Sequence, residues 1–179
     1  MGQFTIFHKQ CFSIDKWGFI ACSWSKGGLW ALTLPQETEA EAKISLQKLR
    51  KIPIEVAVAA EAEVEEKITH WLKEYLQKGI RNDFPIDFDW TGFPLFYKTV
   101  LIEVAKIEAG KTKTYSELAA QVGNAKAVRA IGGALRRNPF PLMIPCHRIL
   151  AQKGIGGFAG VENRVTLKHR LLQLEGIKL

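Results

Sequence analysis

This chain of 179 residues has few cysteines, no long apolar run, and no basic segment in its first residues. No apolar run approaches the ~20 residues that a membrane-spanning helix requires. Residues 1–8 alternate polar and apolar side chains and lack the basic start and apolar stretch of a secretion signal. Hydrophobic residues make up 47% and charged residues 24%, which excludes disordered and collagen-like proteins. We therefore expect a globular, cytoplasmic protein with no membrane partner.

The three cysteines are Cys11, Cys22 and Cys146. An odd number without a secretion signal favours reduced thiols. Cys11 and Cys22 are interpreted as two buried thiols in strands, or as a disulfide if the host is a hyperthermophile. A zinc site drawn from these two with His8 and His70 matches no compact ligand spacing. We expect no metal site and no cofactor.

Aspartate is absent after residue 89, and charge is divided unevenly along the chain. Residues 1–91 contain 11 Lys and Arg against 13 Asp and Glu, a net charge of −2. Residues 92–179 contain 14 against 5, a net charge of +9, which completes the +7 of the whole chain. A strongly basic half indicates a polyanionic partner, most simply nucleic acid.

The change of sign coincides with residues 81–94, where two prolines and a glycine predict an extended linker. We therefore expect an N-terminal domain over 1–91, with its linker from about residue 81, and a second domain over 92–179. In the first, periodicity predicts strands at 3–8, 18–24, 28–34 and 54–60 and helices at 36–50 and 61–78, the latter ended by Gly79.

The basic half opens with a predicted helix over 95–108. Residues 114–123, with Ser116 as N-cap, and residues 126–137 predict two short helices joined by a glycine-containing turn. This pattern fits a helix-turn-helix, and it also fits an αα-hairpin in a core.

The second of these helices contains adjacent glycines, Gly132 and Gly133. Each costs about 1 kcal/mol relative to Ala inside a helix. Their presence indicates that something approaches closer than side chains would allow. The candidates are a packed helix and a nucleic-acid groove flanked by Arg129, Arg136 and Arg137.

The segment 138–150 brings three prolines, then Cys146, His147 and Arg148. Proline fixes the backbone, and the apolar residues carry Cys146 into the interior. A thiolate is a nucleophile, and a nearby imidazole and positive charge lower the pKa of a thiol. Adjacent residues often point apart, so adjacency alone does not establish contact between the cysteine and the histidine.

Six short segments of the basic half together form a recognisable series of motifs. They are Thr114-Tyr-Ser-Glu-Leu-Ala119, Arg129-Ala-Ile-Gly-Gly-Ala134, Asn138-Pro139, Ile144-Pro-Cys-His-Arg-Ile149, Gly156-Gly-Phe158 and Leu171-Leu-Gln-Leu-Glu-Gly176. In order and spacing over 92–176 they resemble the O6-alkylguanine-DNA alkyltransferases, or methylated-DNA–protein-cysteine methyltransferases. The first half resembles this family only in its layout of strands and helices.

The resemblance implies an α+β chain with two domains: a small ribonuclease-H-like α/β domain, then a mostly helical, winged helix-turn-helix-like DNA-binding domain that carries the reactive cysteine. It implies irreversible, single-turnover transfer of the alkyl group of O6-alkylguanine, chiefly O6-methylguanine, to Cys146. His147 would remove the thiol proton through a water, Glu175 would orient the imidazole, and Asn138 would support the loop.

The resemblance also implies a DNA-binding surface and a base pocket. Binding would use the minor groove of double-stranded DNA, without strong sequence preference, by a monomer. The DNA-binding residues would be Tyr115, Ala127, Arg129, Ala130, Gly132, Arg136 and Arg137, with Arg129 filling the space of the flipped base. The pocket would be lined by Tyr115, Pro141, Cys146, Ile149, Phe158, Ala159, Gly160 and Lys168.

Ala159 departs from the family, in which a serine is common at this position. The hydroxyl that could donate to guanine O6 is therefore absent, which affects substrate preference more than the reaction. Alternative interpretations are a non-enzymatic binder of damaged DNA, a helix-turn-helix regulator and a cysteine hydrolase. The presence of Cys146 argues against the first, and no independent motif supports the last.

Overall fold

The computed structural model describes residues 8–50, 62–80, 83–158 and 164–178. The chain divides into two compact units. The first unit consists of Met1–Leu76 and Asp83–Thr91, and the second of Gln77–Asn82 and Gly92–Leu179. The strand predicted at 54–60 and the pocket residues Ala159 and Gly160 lie outside the described residues. Within the described part, no helix is long and apolar enough to cross a membrane.

The first unit contains an antiparallel sheet of three strands in sequence order. The strands are β1 (His8–Ile14), β2 (Gly18–Ser25) and β3 (Gly28–Leu32). The hairpin predicted between 18 and 34 is confirmed, with a register shift at Ser23 and Trp24. The strand predicted at 3–8 falls almost wholly outside the described residues, and sequence periodicity missed that β1 continues to Ile14.

Two helices complete the first unit's secondary structure in the described residues: α1 (Glu39–Leu49) and α2 (Ala62–Lys78). Both were predicted. Thr38 begins α1 with a capping box, in which its hydroxyl accepts from the Glu41 amide and the Glu41 carboxylate accepts from the Thr38 amide. Gly79, at φ +70°, follows α2 as expected for a helix end.

Residues 83–91 are not a free linker, which corrects the sequence prediction. The amide of Leu29 donates to Asp87 O (2.7 Å), and the amide of Asp89 donates back to Leu29 O (2.8 Å). The buried Asp89 carboxylate accepts from Ser25 Oγ (3.0 Å) and from the Thr91 amide (2.9 Å). The prolines and the glycine predict an extended segment without fixed partners. Local sequence does not reveal the hydrogen bonds to β3, because Leu29 is distant from this segment in the chain.

Cys11 and Cys22 lie on neighbouring strands but face opposite sides of the sheet. Cys11 pairs with Ala21, and Cys22 pairs with Gln10. Because cross-strand neighbours share a face and consecutive residues alternate, the two thiols point apart. All three cysteines are free thiols. Across the described ranges, no group of three or more His, Cys, Asp or Glu side chains is arranged to hold a metal ion.

The second unit contains four helices and a two-stranded parallel ladder in its described part. In chain order these are α3 (Leu95–Ala105), β4 (Lys113–Thr114), α4 (Tyr115–Gln121), α5 (Val128–Arg136), β5 (Ile149–Leu150) and α6 (Val165–Leu174). All three predicted helices are present, each shorter than expected. Thr114, not Ser116, is the N-cap of α4, since its hydroxyl accepts from the Glu117 amide in a capping box. The ladder joins the start of α4 to the segment after Cys146.

Candidate active site

A buried loop, residues 138–145, leads from α5 to the cysteine. Asn138 organises it: its Oδ1 accepts from the Phe140 amide (2.9 Å), and its Nδ2 donates to Ile144 O (2.9 Å). Pro145, at φ −81° and ψ 65°, forms an inverse γ-turn in which the Cys146 amide donates to Ile144 O (2.8 Å). Residues 146–148 then form a single 3₁₀ turn. The turn places three chemically active side chains in the interior.

The thiol of Cys146 is almost fully enclosed, with the residue 7% exposed. Asn138 Nδ2 lies 3.4 Å from Sγ and donates to it. Burial raises the pKa of the thiol above its ordinary value, while the Asn138 bond and the Lys168 charge oppose that rise. At neutral pH the sulfur is therefore held mainly as a thiol, and a base is needed to form the nucleophilic thiolate.

A candidate for that base, His147, is adjacent in sequence and fully buried. His147 Nε2 lies 2.8 Å from Glu175 Oε1. Burial raises the pKa of Glu175, but hydrogen bonds from His147 and Arg148 outweigh this and lower it to about 2. An ionised carboxylate can only accept, so Nε2 carries the hydrogen and Nδ1 is the ring nitrogen able to take up a proton. Burial also lowers the pKa of His147, which keeps the imidazole neutral.

Glu175 owes its position to the end of α6. It is the C-cap residue, and Gly176 follows at φ +80°. The Gly176 amide donates to Gln173 O and the Ile177 amide to Leu172 O, both at 2.9 Å. This is a Schellman motif, whose left-handed position favours glycine. The Glu-Gly pair in the sequence therefore fixes where the carboxylate leaves the helix.

Arg148 is the site residue that sequence reasoning did not assign. It is 2% exposed, and its Nε and Nη2 donate to the two oxygens of Glu175 at 2.9 and 2.8 Å. Its Nη1 donates to Ile107 O, just beyond α3. The sequence did contain a signal for Arg148: it is a charged residue within an otherwise apolar segment. A charged side chain that is buried requires a partner of opposite charge.

Lys168 is fully buried on α6, and its amine donates hydrogen bonds to backbone carbonyl oxygens. Its Nζ donates to Ile149 O (2.6 Å), Ile155 O (2.8 Å) and Gly157 O (3.2 Å). Burial lowers the pKa of this amine to about 8, and the nearby Cys146 opposes that shift. The lysine thus fastens the loop after β5 to α6.

Three of the other expected pocket residues in the described part are buried. Phe158 is buried, its ring edge-on to the His147 ring at 6.5 Å between centroids. Pro141 and Ile149 are buried in the same unit. Tyr115 is half-buried at the start of α4, and its pKa is raised by burial and by the negative charge that Cys146 acquires when ionised.

Apart from Tyr115 on α4, the expected DNA-contact residues lie on α5 or at its ends. Arg129, Ala130 and Arg136 are exposed, and Ala127 is half-exposed. A Cβ built on Gly132 would meet no heavy atom within 4 Å among the described residues, so protein packing does not explain this glycine. Gly133 faces Tyr97, whose hydroxyl would lie 3.7 Å from a Cβ. Tyr97 also binds Arg137, with its hydroxyl and with its ring, 5.4 Å from the guanidinium carbon.

Comparison with known proteins matches residues 95–177 to the family model described as "6-O-methylguanine DNA methyltransferase, DNA binding domain". Residues 95–177 are therefore similar to that domain. The matched segment includes every described site residue named above. The match confirms the resemblance drawn from the motifs.

Two curated relatives carry the name methylated-DNA–protein-cysteine methyltransferase. The protein from Methanothermobacter thermautotrophicus is 44% identical over 102 residues, which cover 56% of each chain. The protein from Saccharolobus solfataricus is 46% identical over 84 residues, 47% of this chain and 52% of the relative. The matches thus span about half the length of these relatives.

Solved structures match a larger share of the chain at lower identity. An O6-methylguanine-DNA methyltransferase from Pyrococcus kodakaraensis gives a TM-score of 0.68 at 21% identity, covering 96% of this chain and 100% of that one. The Mycobacterium tuberculosis O6-methylguanine methyltransferase gives 0.70 at 23% identity, covering 95% and 93%. These likenesses show the fold, a mixed α+β architecture, over both units.

Proposed function

We propose that this protein repairs DNA by transferring the alkyl group of O6-alkylguanine, chiefly O6-methylguanine, to its own Cys146. The observation that carries the proposal is a buried thiol next in sequence to a neutral, buried histidine whose Nε2 is held by an ionised glutamate. The family model that matches residues 95–177, and the names of the relatives that match the chain, support the same reaction.

The proposed step balances without a cofactor. His147 Nδ1 takes the thiol proton through a water, and the sulfur attacks the alkyl carbon. A carbon–sulfur bond forms as the bond between O6 and that carbon breaks. The electron pair stays on guanine, which takes up one proton as protonated His147 gives one up, so the proton lost by the thiol is balanced. The thioether is stable, so each molecule acts once.

A guanine inside a duplex cannot present its O6 substituent to an enclosed sulfur, so the base must be extruded, at a cost of a few kcal/mol. We propose that Arg129 fills the vacated space, since its exposed guanidinium can both stack and donate. Tyr115, half-buried at the start of α4, would contact the flipped nucleotide. Arg136 would bind phosphate, and Arg137 would do so from its position on Tyr97.

The α4–α5 pair would serve as a winged helix-turn-helix-like reader, with α5 in the minor groove and little sequence preference. The first unit would be the small ribonuclease-H-like domain. The net charge of +9 on residues 92–179 favours a polyanion there. We further propose a monomer acting in the cytoplasm, where thiols stay reduced.

One experiment tests the reaction directly. The protein is incubated with a duplex carrying O6-methylguanine, and its intact mass is measured. We expect a gain of one CH₂ per molecule, localised to Cys146 by peptide mass and absent in Cys146→Ala. Tight binding to the damaged duplex without any gain in mass would leave only the binder interpretation.

Gly132→Ala tests the approach of DNA to α5. Because a Cβ there meets no described protein atom and alanine favours a helix, the free energy of unfolding should rise by up to about 1 kcal/mol. Affinity for duplex DNA should fall, and fall further in Gly132→Leu, because the added atoms occupy the groove-facing surface. Binding is measured by fluorescence anisotropy and stability by urea unfolding.

The matched control is Ala40→Leu, an exposed position on α1 in the first unit. It adds bulk to a helix that is not proposed to contact DNA, so DNA affinity should not change. Equal affinities of Gly132→Leu and the unmodified protein would contradict the placement of α5 in the groove.

A further inference from the structure

Glu175 occupies an unfavourable position for a carboxylate. It is buried at the C-terminal end of α6, where the helix dipole repels negative charge. One histidine hydrogen bond does not offset the desolvation of an ionised carboxylate. The group that compensates is Arg148, whose Nε reaches Oε2 and whose Nη2 reaches Oε1, one donor on each oxygen.

Arg148 is itself anchored independently of α6. Its Nη1 donates to Ile107 O, beyond the end of α3. The planar guanidinium therefore fixes the carboxylate plane against two parts of the unit, which a single point charge could not do. Oε1 accepts from both Arg148 Nη2 and His147 Nε2, at 2.8 Å each.

We propose that Arg148 is a positioning residue for the Cys146 reaction: through its fork on Glu175 it holds Oε1 against His147 Nε2 and thereby dictates which ring nitrogen carries hydrogen and which accepts the thiol proton. This inference rests on the proposed function for its kinetic consequence. Its structural consequence, the tautomer of His147, can be measured whether or not the protein transfers an alkyl group.

The charges around His147 give the direction of the effect. Burial lowers the pKa of the imidazole most strongly, Glu175 raises it, and Arg148 and Lys168 lower it. Phe158 contributes an uncharged ring edge. Removing the Arg148 charge leaves the Glu175 charge uncompensated, so the pKa of His147 should rise. A protonated imidazole cannot accept the thiol proton, so transfer near neutral pH should slow.

The test uses the full chain with ¹⁵N-labelled histidine in Arg148→Met, Arg148→Lys and the control Arg170→Met. Arg170 is an exposed arginine of the same helix as Lys168, so its replacement removes one charge outside the site. Long-range ¹H–¹⁵N spectra identify the tautomer and titration of His147, assigned by the signal lost in His147→Gln. Single-turnover transfer from an O6-methylguanine duplex is timed by intact mass across pH.

We expect Arg148→Met to lose the pure Nε2–H tautomer, to raise the pKa of His147 and to slow transfer about 100-fold near neutral pH. Arg148→Lys, which keeps the charge but not the fork, should retain the titration, mix the tautomers and slow transfer about tenfold. Arg170→Met should match the unmodified protein in both spectra and rate.

An unchanged tautomer and titration in Arg148→Met would overturn the proposal. If that variant does not fold, Arg148→Lys decides: unmixed tautomers and an unaltered rate would overturn it equally. If the unmodified protein transfers no alkyl group, the proposed function fails, while the spectra still determine whether Arg148 sets the tautomer.

Discussion

Glu175→Gln should slow alkyl transfer about 100-fold or more, because it removes the group that orients His147 and stabilises its protonated form. The amide preserves shape but turns one acceptor into a donor facing Arg148 or His147, both of which donate to Glu175 in the structure. Affinity for an undamaged duplex should remain within about twofold, since no buried group of this site is proposed to hold phosphate. Rates are measured under single turnover, and affinity by anisotropy.

Glu108→Gln is the control, since Glu108 is exposed in the same unit. It removes one negative charge without touching the buried network, and its transfer rate should be unchanged. A Glu175→Gln protein that transfers at the unmodified rate would refute the assigned role of the carboxylate.

The same variant should alter acid stability. The pKa of Glu175 falls from the ordinary 4.5 to about 2 in the folded protein. Its contribution is therefore fully present above about pH 4.5 and is lost as the pH falls towards 2, up to about 3 kcal/mol in all. Urea unfolding between these limits should be less pH-dependent in Glu175→Gln than in the unmodified protein.

Arg129→Ala should slow transfer from a fully paired duplex about 100-fold, because a few kcal/mol of unstacking and unpairing is no longer offset by the inserted guanidinium. Transfer from a single strand should change little, since that base needs no replacement in a stack. The ratio of the two rates, taken under single turnover at saturating protein, isolates extrusion from chemistry.

Arg136→Ala provides the contrast. A phosphate contact positions the duplex without entering it, so its loss should weaken binding to all sequences and lower the salt slope by about 1. The ratio between paired and single-stranded rates should stay unchanged. If Arg129→Ala slowed both substrates equally, it would act as another phosphate ligand and not as the residue that replaces the base.

Local patterns predicted most of the regular elements. The hairpin of β2 and β3 alternates with period two, and α2 presents Ile68, Trp71, Leu72, Tyr75 and Leu76 on one buried face. The N-cap of α4 was misplaced although the pattern was present. Thr114 and Glu117 have the spacing of a capping box, which outweighs the isolated signal from Ser116.

The site was less accessible to sequence reasoning, because its contacts join distant residues. His147 and Glu175 are 28 residues apart, and periodicity carries no information about such a pair. The family resemblance supplied Glu175, but it left Arg148 as a neighbouring charge. Only the fold places its guanidinium on the carboxylate of Glu175. For the same reason the sequence pattern predicts a linker over 81–94, although Asp89 is buried against Ser25.

The two units alternate along the sequence, which limits the fragments of the chain that can contain a complete unit. The chain passes from one unit to the other after Leu76, after Asn82 and after Thr91. A gene fragment that begins at Gly92 would lack Gln77–Asn82, and one that ends at Leu76 would lack the segment whose Asp87 and Asp89 bond to Leu29. No single break in the sequence yields both units whole, so any fragment made by one cut leaves at least one unit incomplete.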